Sequence, residues 1–341
     1  MKKAIVISLI VAGALVLVGA GLFAGAMSAA EWDFSALQTT KYEPVTYEVT
    51  EDFSDISIQT IDSSIEFRTA PDGKCKVECM ESEYVTYSVS VQEGTLKITT
   101  GDTRQWYHNI GILNTQRQNM VVYLPMAVYE SLLIESNTGT VHTPSELLFG
   151  DVRIKLDTGM MKWESGVAHS MSVETDTGFV QIKSVNMDGA LSVKTDTGRA
   201  ELSGVVAQSI QVETDTGKAI VTDAITKSTM SVKTNSGNAE LSGCRAVDVF
   251  VETGTGKAKL TDVVATGKME IDTDTGDVVL DGCDAAEIEI ETDTGDVRGT
   301  FLTPKIIYTQ TDTGRVDVPR STTGGICEIT TDTGVIIIQF K

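Results

Sequence analysis

The residues with the most evident chemical potential are the aspartates of a recurring DTG triplet, as in "VETDTGFVQI", Val173–Ile182. In aspartic proteases such a triplet carries the catalytic carboxylate, and two carboxylates come close enough to share one proton. Here the triplet or a near variant ends at Gly139, Gly159, Gly178, Gly198, Gly217, Gly237, Gly256, Gly276, Gly295, Gly314 and Gly334, eleven copies in all. Protease chemistry has no use for a ladder of carboxylates. Thr also precedes the Asp in most copies, where the protease triplet follows apolar residues. The triplet is the punctuation of a repeat.

A ladder of carboxylates could still hold metal. Asp157, Asp176, Asp196, Asp215, Asp274, Asp293, Asp312 and Asp332 share one phase of the repeat. If stacked at about 5 Å they would repel by roughly 1 kcal/mol per pair in water, and Ca²⁺, which takes several carboxylate oxygens, could offset this. Against that stand the interruptions at Asn235 and Gly254 and the lack of the glycine-rich nonapeptide of calcium β-rolls. The expected role of each Asp is to make its local turn and face solvent, so no metal, cofactor or catalytic residue is assigned. Paired threonines such as Thr175 and Thr177 bring flat ice-binding faces to mind, but the second Thr falls in the triplet. His108, His142 and His169 have no Ser or Cys nucleophile motif beside them. The basic residues a polysaccharide lyase would need in a groove, such as Lys183, Lys194, Lys233 and Lys257, appear scattered along outward positions. "RQWYHNIG", Arg104–Gly111, is the densest aromatic and polar patch outside the repeat and a candidate contact loop around Trp106. The expectation is a non-enzyme.

The elements that position these residues follow from the spacing. The triplet glycines step by 19 or 20 residues, and "LSGVVAQSI", "LSGCRAVDV" and "LDGCDAAEI" recur at 39 residues, so the unit is a pair of near repeats. Before the Gly, apolar residues alternate, as in Met171, Val173 and Thr175 or Ile210, Val212 and Thr214. After it they alternate again, as in Val180 and Ile182 or Ala219 and Val221. That is the period of strands with one wet and one buried face. Each unit reads as two short strands around a turn, closed by Gly at φ > 0. One unit cannot bury its face alone, so units stack. Identical residues at identical phase favour a β-solenoid (parallel β-helix-like) over an antiparallel meander, and ten steps at strand spacing make about 50 Å. Cys244 and Cys283 fall in the slot of Val185, Val205, Val263 and Leu302, an interior position. The C-terminal coils are irregular, with Gly299, Thr309 and Pro304 off the pattern, and "VIIIQFK" reads as the end cap.

Ala4–Met27 is uncharged and apolar, long enough to span a bilayer. Ser28, Ala29 and Ala30 would permit cleavage, but the length exceeds that of a typical secretory apolar region. Lys2 and Lys3 before the span, with Glu31 and Asp33 after it, put the N-terminus in the cytoplasm and the rest outside. A net charge of −21 sets nucleic-acid phosphates aside as ligands. Of five cysteines, Cys75 and Cys79 share one strand face about 13 Å apart, too far for a disulfide. The five read as buried thiols. The chain divides into an anchor or signal segment (1–30), a stalk (31–44), an N-terminal β section (45–131) and the solenoid (132–341).

At this point the chain resembles a known family, the bacterial adhesin-like toastrack proteins with DTG-type β-strand repeats. The resemblance rests on "FSDISIQTIDSSIEF", on "NIGILN", "MVVYLP" and "YESLLIES" in the middle, and on the "TDTG" ladder, and it covers about residues 45–341. It implies an extracytoplasmic β-solenoid on a membrane anchor, in Gram-positive-type bacteria, with no catalytic motif. Other members are linked to envelope-stress signalling. Two roles follow as expectations. One is a non-catalytic binding, adhesin-like or surface-scaffold protein, with self-association possible. The alternative is an envelope-stress accessory that partners a membrane protein. The surface ligand is not legible.

Overall fold

The computed structural model describes residues 2–29, 32, 42–104 and 118–341. Trp106 and His108, with most of the segment Arg104–Gly111, lie outside the described residues. The chain divides into two compact units. The first comprises residues 1–43, 81–86 and 101–117. It holds helix α1 (Lys2–Ala29), of which Ile7–Ala29 is long and apolar enough to cross a membrane, a property signal sequences share.

The second unit is all β and forms a β-solenoid of about ten turns. Its N-terminal strands are β1 (Glu43–Val49), β2 (Asp55–Thr60), β3 (Ser63–Thr69), β4 (Cys75–Glu81), β5 (Val85–Gln92), β6 (Thr95–Asp102), β7 (Gln118–Leu124), β8 (Val128–His142) and β9 (Leu148–Trp163). From β8 onward each coil stacks in parallel on the next with like residue on like. Met171, Val173 and Thr175 pair with Leu191, Val193 and Thr195, and these with Ile210, Val212 and Thr214. The inward columns are almost fully buried, which makes one continuous core. A second, short parallel sheet of Val206–Ala207, Ile225–Thr226, Arg245–Ala246 and Val264–Ala265 closes another side.

In the earlier coils the triplet is not the tip of a turn, whereas at Gly237, Gly256 and Gly276 the chain bends and two separate strands flank the glycine, as expected. Strands Met171–Lys183, Ala190–Ser203 and Ser209–Thr222 run through it, and pairing continues across Gly178, Gly198 and Gly217. The glycine is needed because the coils touch there. A Cβ on Gly217 would sit within the van der Waals sphere of the Gly198 carbonyl oxygen, and the same holds between Gly237 and Gly217. The expected turn glycine is thus a close-approach glycine. Left-handed backbone occurs six residues later, at Ser184, Gly204, Asp223, Gly243, Asp262 and Gly282. Ser or Asp alternates with Gly there: a Cβ on Gly243 would come within 2.3 Å of the Asp223 carboxylate and one on Gly282 within 2.7 Å of that of Asp262, while one on Gly204 would meet only ordinary contacts with Ser184. This is one physical basis for the 39-residue pair.

Both ends depart from chain order. At the N-terminal end β8 stacks on β2 across 76 residues, and β6 and β7 stack beyond β2 and β3. There β4 pairs antiparallel with β7 and closes the edge. At the C-terminal end the strand Gly325–Thr333 inserts between Glu287–Thr294 and Lys305–Thr313. Ile336–Phe340 likewise lies between Val297–Phe301 and Val316–Asp317. "VIIIQFK" is therefore an inner coil, and the expected end cap is instead the coil of Lys305–Thr313. The irregularity around Gly299 shifts the register, so Phe301 rather than Leu302 pairs with Cys283. Phe301 is buried and Leu302 is 44% exposed.

Candidate functional site

The outer face of the stacked coils carries the sequence-marked aspartates. Asp157, Asp176, Asp196, Asp215, Asp274, Asp293, Asp312 and Asp332 are all exposed and lie at one phase of stacked coils. Asn235, which interrupts them, donates its side-chain amide to Asp215 at 3.1 Å. Among the described residues no group of three His, Cys, Asp or Glu is arranged to hold a metal. The threonines beside the aspartates split. Thr175, Thr195 and Thr214 are buried, while Thr177, Thr197 and Thr216 face outward. A two-column threonine face therefore does not exist. Farther along, Thr234 and Thr253 donate their hydroxyls to the carbonyls of Gly237 and Gly256 at 2.9 and 3.1 Å.

One column was missed by sequence reasoning. One residue before the slot of the buried Thr, neighbouring coils carry Glu135, Lys155, Glu174, Lys194, Glu213, Lys233 and Glu252 in register. Lys194 and Lys233, read from sequence as scattered, are rungs of this alternating ladder. Lys233 bonds Glu252 at 2.6 Å, and Lys194 lies 3.6 Å from Glu213. The signal was present as Lys at every second repeat. The alternation ends at Asp272, which sits between Glu252 and Glu291. Partial desolvation of a side chain that is still exposed, and then the charges of Glu291 and Glu252, hold the Asp272 carboxyl above the usual range.

The nucleophilic candidates are sequestered. Cys75, Cys79, Cys244, Cys283 and Cys327 are free thiols and all buried. Burial pushes Cys75 and Cys327 up to about 12 and Cys283 up to about 11, which removes thiolate at neutral pH. Cys244 and Cys283 donate weakly to the carbonyls of Val221 and Leu260, as their interior slot requires. His142 is exposed, and exposed His169 faces Asp188 at 3.4 Å, while the hydroxyl of the adjoining Ser170 is engaged as a donor to Asp151. In the N-terminal coils a cleft of about 480 Å³ lies among Glu48, Phe53, Asp72, Lys74, Cys75 and Tyr129. Phe53 stacks on Tyr129 with ring centroids 5.8 Å apart, and the Tyr129 hydroxyl donates to the Pro125 carbonyl. Its lining comes from separate loops, so no local pattern announced it.

A stacked core, sequestered thiols and outward ladders of side chains define a repeat protein of the β-solenoid class. The Toastrack DUF4097 family model matches residues 53–242 and again 219–341. The chain belongs to that family. No curated protein matches it. Among solved structures it is similar to an adhesin candidate from Bacteroides fragilis NCTC 9343, at 15% identity over 88% of this chain and 97% of that one, with a TM-score of 0.32. It is also similar to an adhesin candidate from Parabacteroides distasonis ATCC 8503, at 12% identity over 88% and 98%, with a TM-score of 0.36. A lipid-binding-protein candidate from the same organism aligns at 15% identity over 87% and 97%, with a TM-score of 0.34.

Proposed function

We propose that the protein is a membrane-anchored, extracytoplasmic solenoid that acts by non-catalytic binding, as an adhesin-like or scaffold protein of the cell surface. In this reading residues 1–30 anchor it, 31–44 form the stalk, and 45–131 lead into the solenoid of 132–341. Lys2 and Lys3 stay in the cytoplasm, and the solenoid is displayed outside. The carrying observation is the outer face itself. Its threonines and aspartates are fixed in register on exposed columns, while the thiols are buried and much of the charge is paired along the Glu–Lys ladder. Such a face offers rigid, repeated contact area and no assembled catalytic group.

The test is photo-crosslinking on living cells, with the probe placed at outward positions such as Thr177 and Thr197 and around Trp106. Capture of wall glycan, matrix or another cell's surface supports the binding role. Capture of a signalling protein of the same membrane would replace it with the envelope-stress alternative.

A further inference from the structure

The cleft in the N-terminal coils is a feature the repeat does not explain. Its volume of about 480 Å³ suits a small organic molecule. Three segments wall it: residues 48–53, leading from β1 towards β2; residues 72–76, leading into β4; and Pro125, Ala127 and Tyr129, between β7 and β8. The floor is already built. The Tyr129 ring, 3% exposed, stacks on Phe53 and packs from behind against Phe149, which packs in turn against Trp163. One residue further along each segment, the Glu130 amide donates to the Ser54 carbonyl at 2.8 Å. Phe53 itself is only half-buried, so part of its ring stays open. The lip is apolar as well. Met126 and Val128, on either side of Ala127, are 74% and 63% exposed, more than any other large apolar side chain described in the second unit.

The rim has the opposite character. Glu48, Glu51, Asp52 and Asp72 are exposed around the cleft, and none of them has an ion-pair partner among the described residues. Glu51 and Asp72 accept hydrogen bonds only from their own segments, from Thr50 and from the Lys74 amide. Of the two lysines at the rim, Lys76 is engaged with Glu78 at 2.9 Å and lies over the Tyr123 ring. Lys74 alone is left to answer four carboxylates. On the repeat, by contrast, Glu and Lys answer each other along the ladder.

We propose that this cleft binds a small organic cation with an apolar body, an ammonium carried on aromatic or aliphatic carbon. The rim carboxylates take the charge, and the open part of the Phe53 ring with the Pro125–Val128 lip takes the body. A cation close to an aromatic face gains further where water is partly excluded. An anion meets uncompensated carboxylates here, and a neutral molecule leaves the rim unused. The floor is fixed by packing, so little ordering opposes binding. This deepens the binding role proposed above, on which it rests, by giving the chemistry of the ligand.

The test titrates the full chain, in micelles of a nonionic detergent, with benzyltrimethylammonium in a calorimeter, against a blank of micelles alone. Saturable binding to a single site is expected, with a Kd of about 1 mM or tighter. Tetramethylammonium, the charge without the body, and benzyl alcohol, the body without the charge, should each bind about tenfold or more weakly. The Glu48→Gln/Asp52→Asn variant, and separately Phe53→Leu, should weaken binding of the cation about fivefold or more at an unchanged melting temperature. The first pair changes only exposed side chains, so it decides the matter should Phe53→Leu unfold. Asp274→Asn/Asp293→Asn removes as much charge from the outer face and should leave the affinity unchanged. Absence of saturable binding, equal binding of benzyl alcohol, or full affinity in the folded Glu48→Gln/Asp52→Asn variant overturns the proposal. None of these outcomes touches surface display, which is decided by labelling of intact cells.

Discussion

Gly217 shows how single residues hold the stack. A methyl group there would press on the Gly198 carbonyl, and its φ of 152° is one that side chains disfavour. Gly217→Ala should therefore cost about 3 kcal/mol, at the upper end for overpacking, read by chemical denaturation. Asp196→Asn, one coil away and exposed, should stay within about 0.5 kcal/mol. The thiols give a second residue-scale prediction. With Cys283 pushed up to about 11 and Cys75 and Cys327 to about 12, the folded protein should resist a thiol reagent at pH 8. All five cysteines should react once it unfolds. Fast labelling of the native state would contradict the burial. At this scale the buried thiols and alternating core were legible because a period-2 pattern names the inward side chains. The role of the triplet glycine was not. Left-handed turn and close approach both call for Gly, and only the distance between coils separates them.

Between neighbouring coils, order is set by what faces what. Lys233→Glu would put three acids in a row with Glu213 and Glu252. Both partners of the Lys233–Glu252 pair are about half exposed, so a loss of about 0.5–1 kcal/mol is expected at low salt, shrinking as salt screens it. Asp272 already occupies such a place. Its carboxyl, though exposed, is raised by partial desolvation and by Glu291 and Glu252, so its ionised form opposes folding. That penalty is present above the folded pKa and fades as pH falls through it towards the unfolded value. Asp272→Asn should therefore raise the melting temperature at pH 7 and change it little near pH 3. A lower melting temperature at pH 7 would show the carboxylate to be favourable where it sits. The ladder was half legible. Lys at every second repeat is visible in the sequence, but its pairing with Glu needs the register, which phase alone does not prove.

For the molecule as a whole, periodicity revealed the solenoid but not the order of its ends. Every coil of a stack has the same phase, so the coil of Lys305–Thr313 fits equally well inside or outside that of Gly325–Phe340. Only the path of the connecting residues 318–324 decides. The same holds at the other end, where β8 returns to β2 over the strands between them. The sequence marks of anchor and solenoid, by contrast, are local and continuous, and together they carry the proposal of surface display. The most direct test of that proposal exploits the sequestered thiols. A Thr197→Cys variant places one exposed thiol on the outer ladder of a protein whose own cysteines are buried. A membrane-impermeant maleimide should label this variant, and not wild type, on intact cells. Labelling that appears only after the cells are opened would place the solenoid inside and contradict the account.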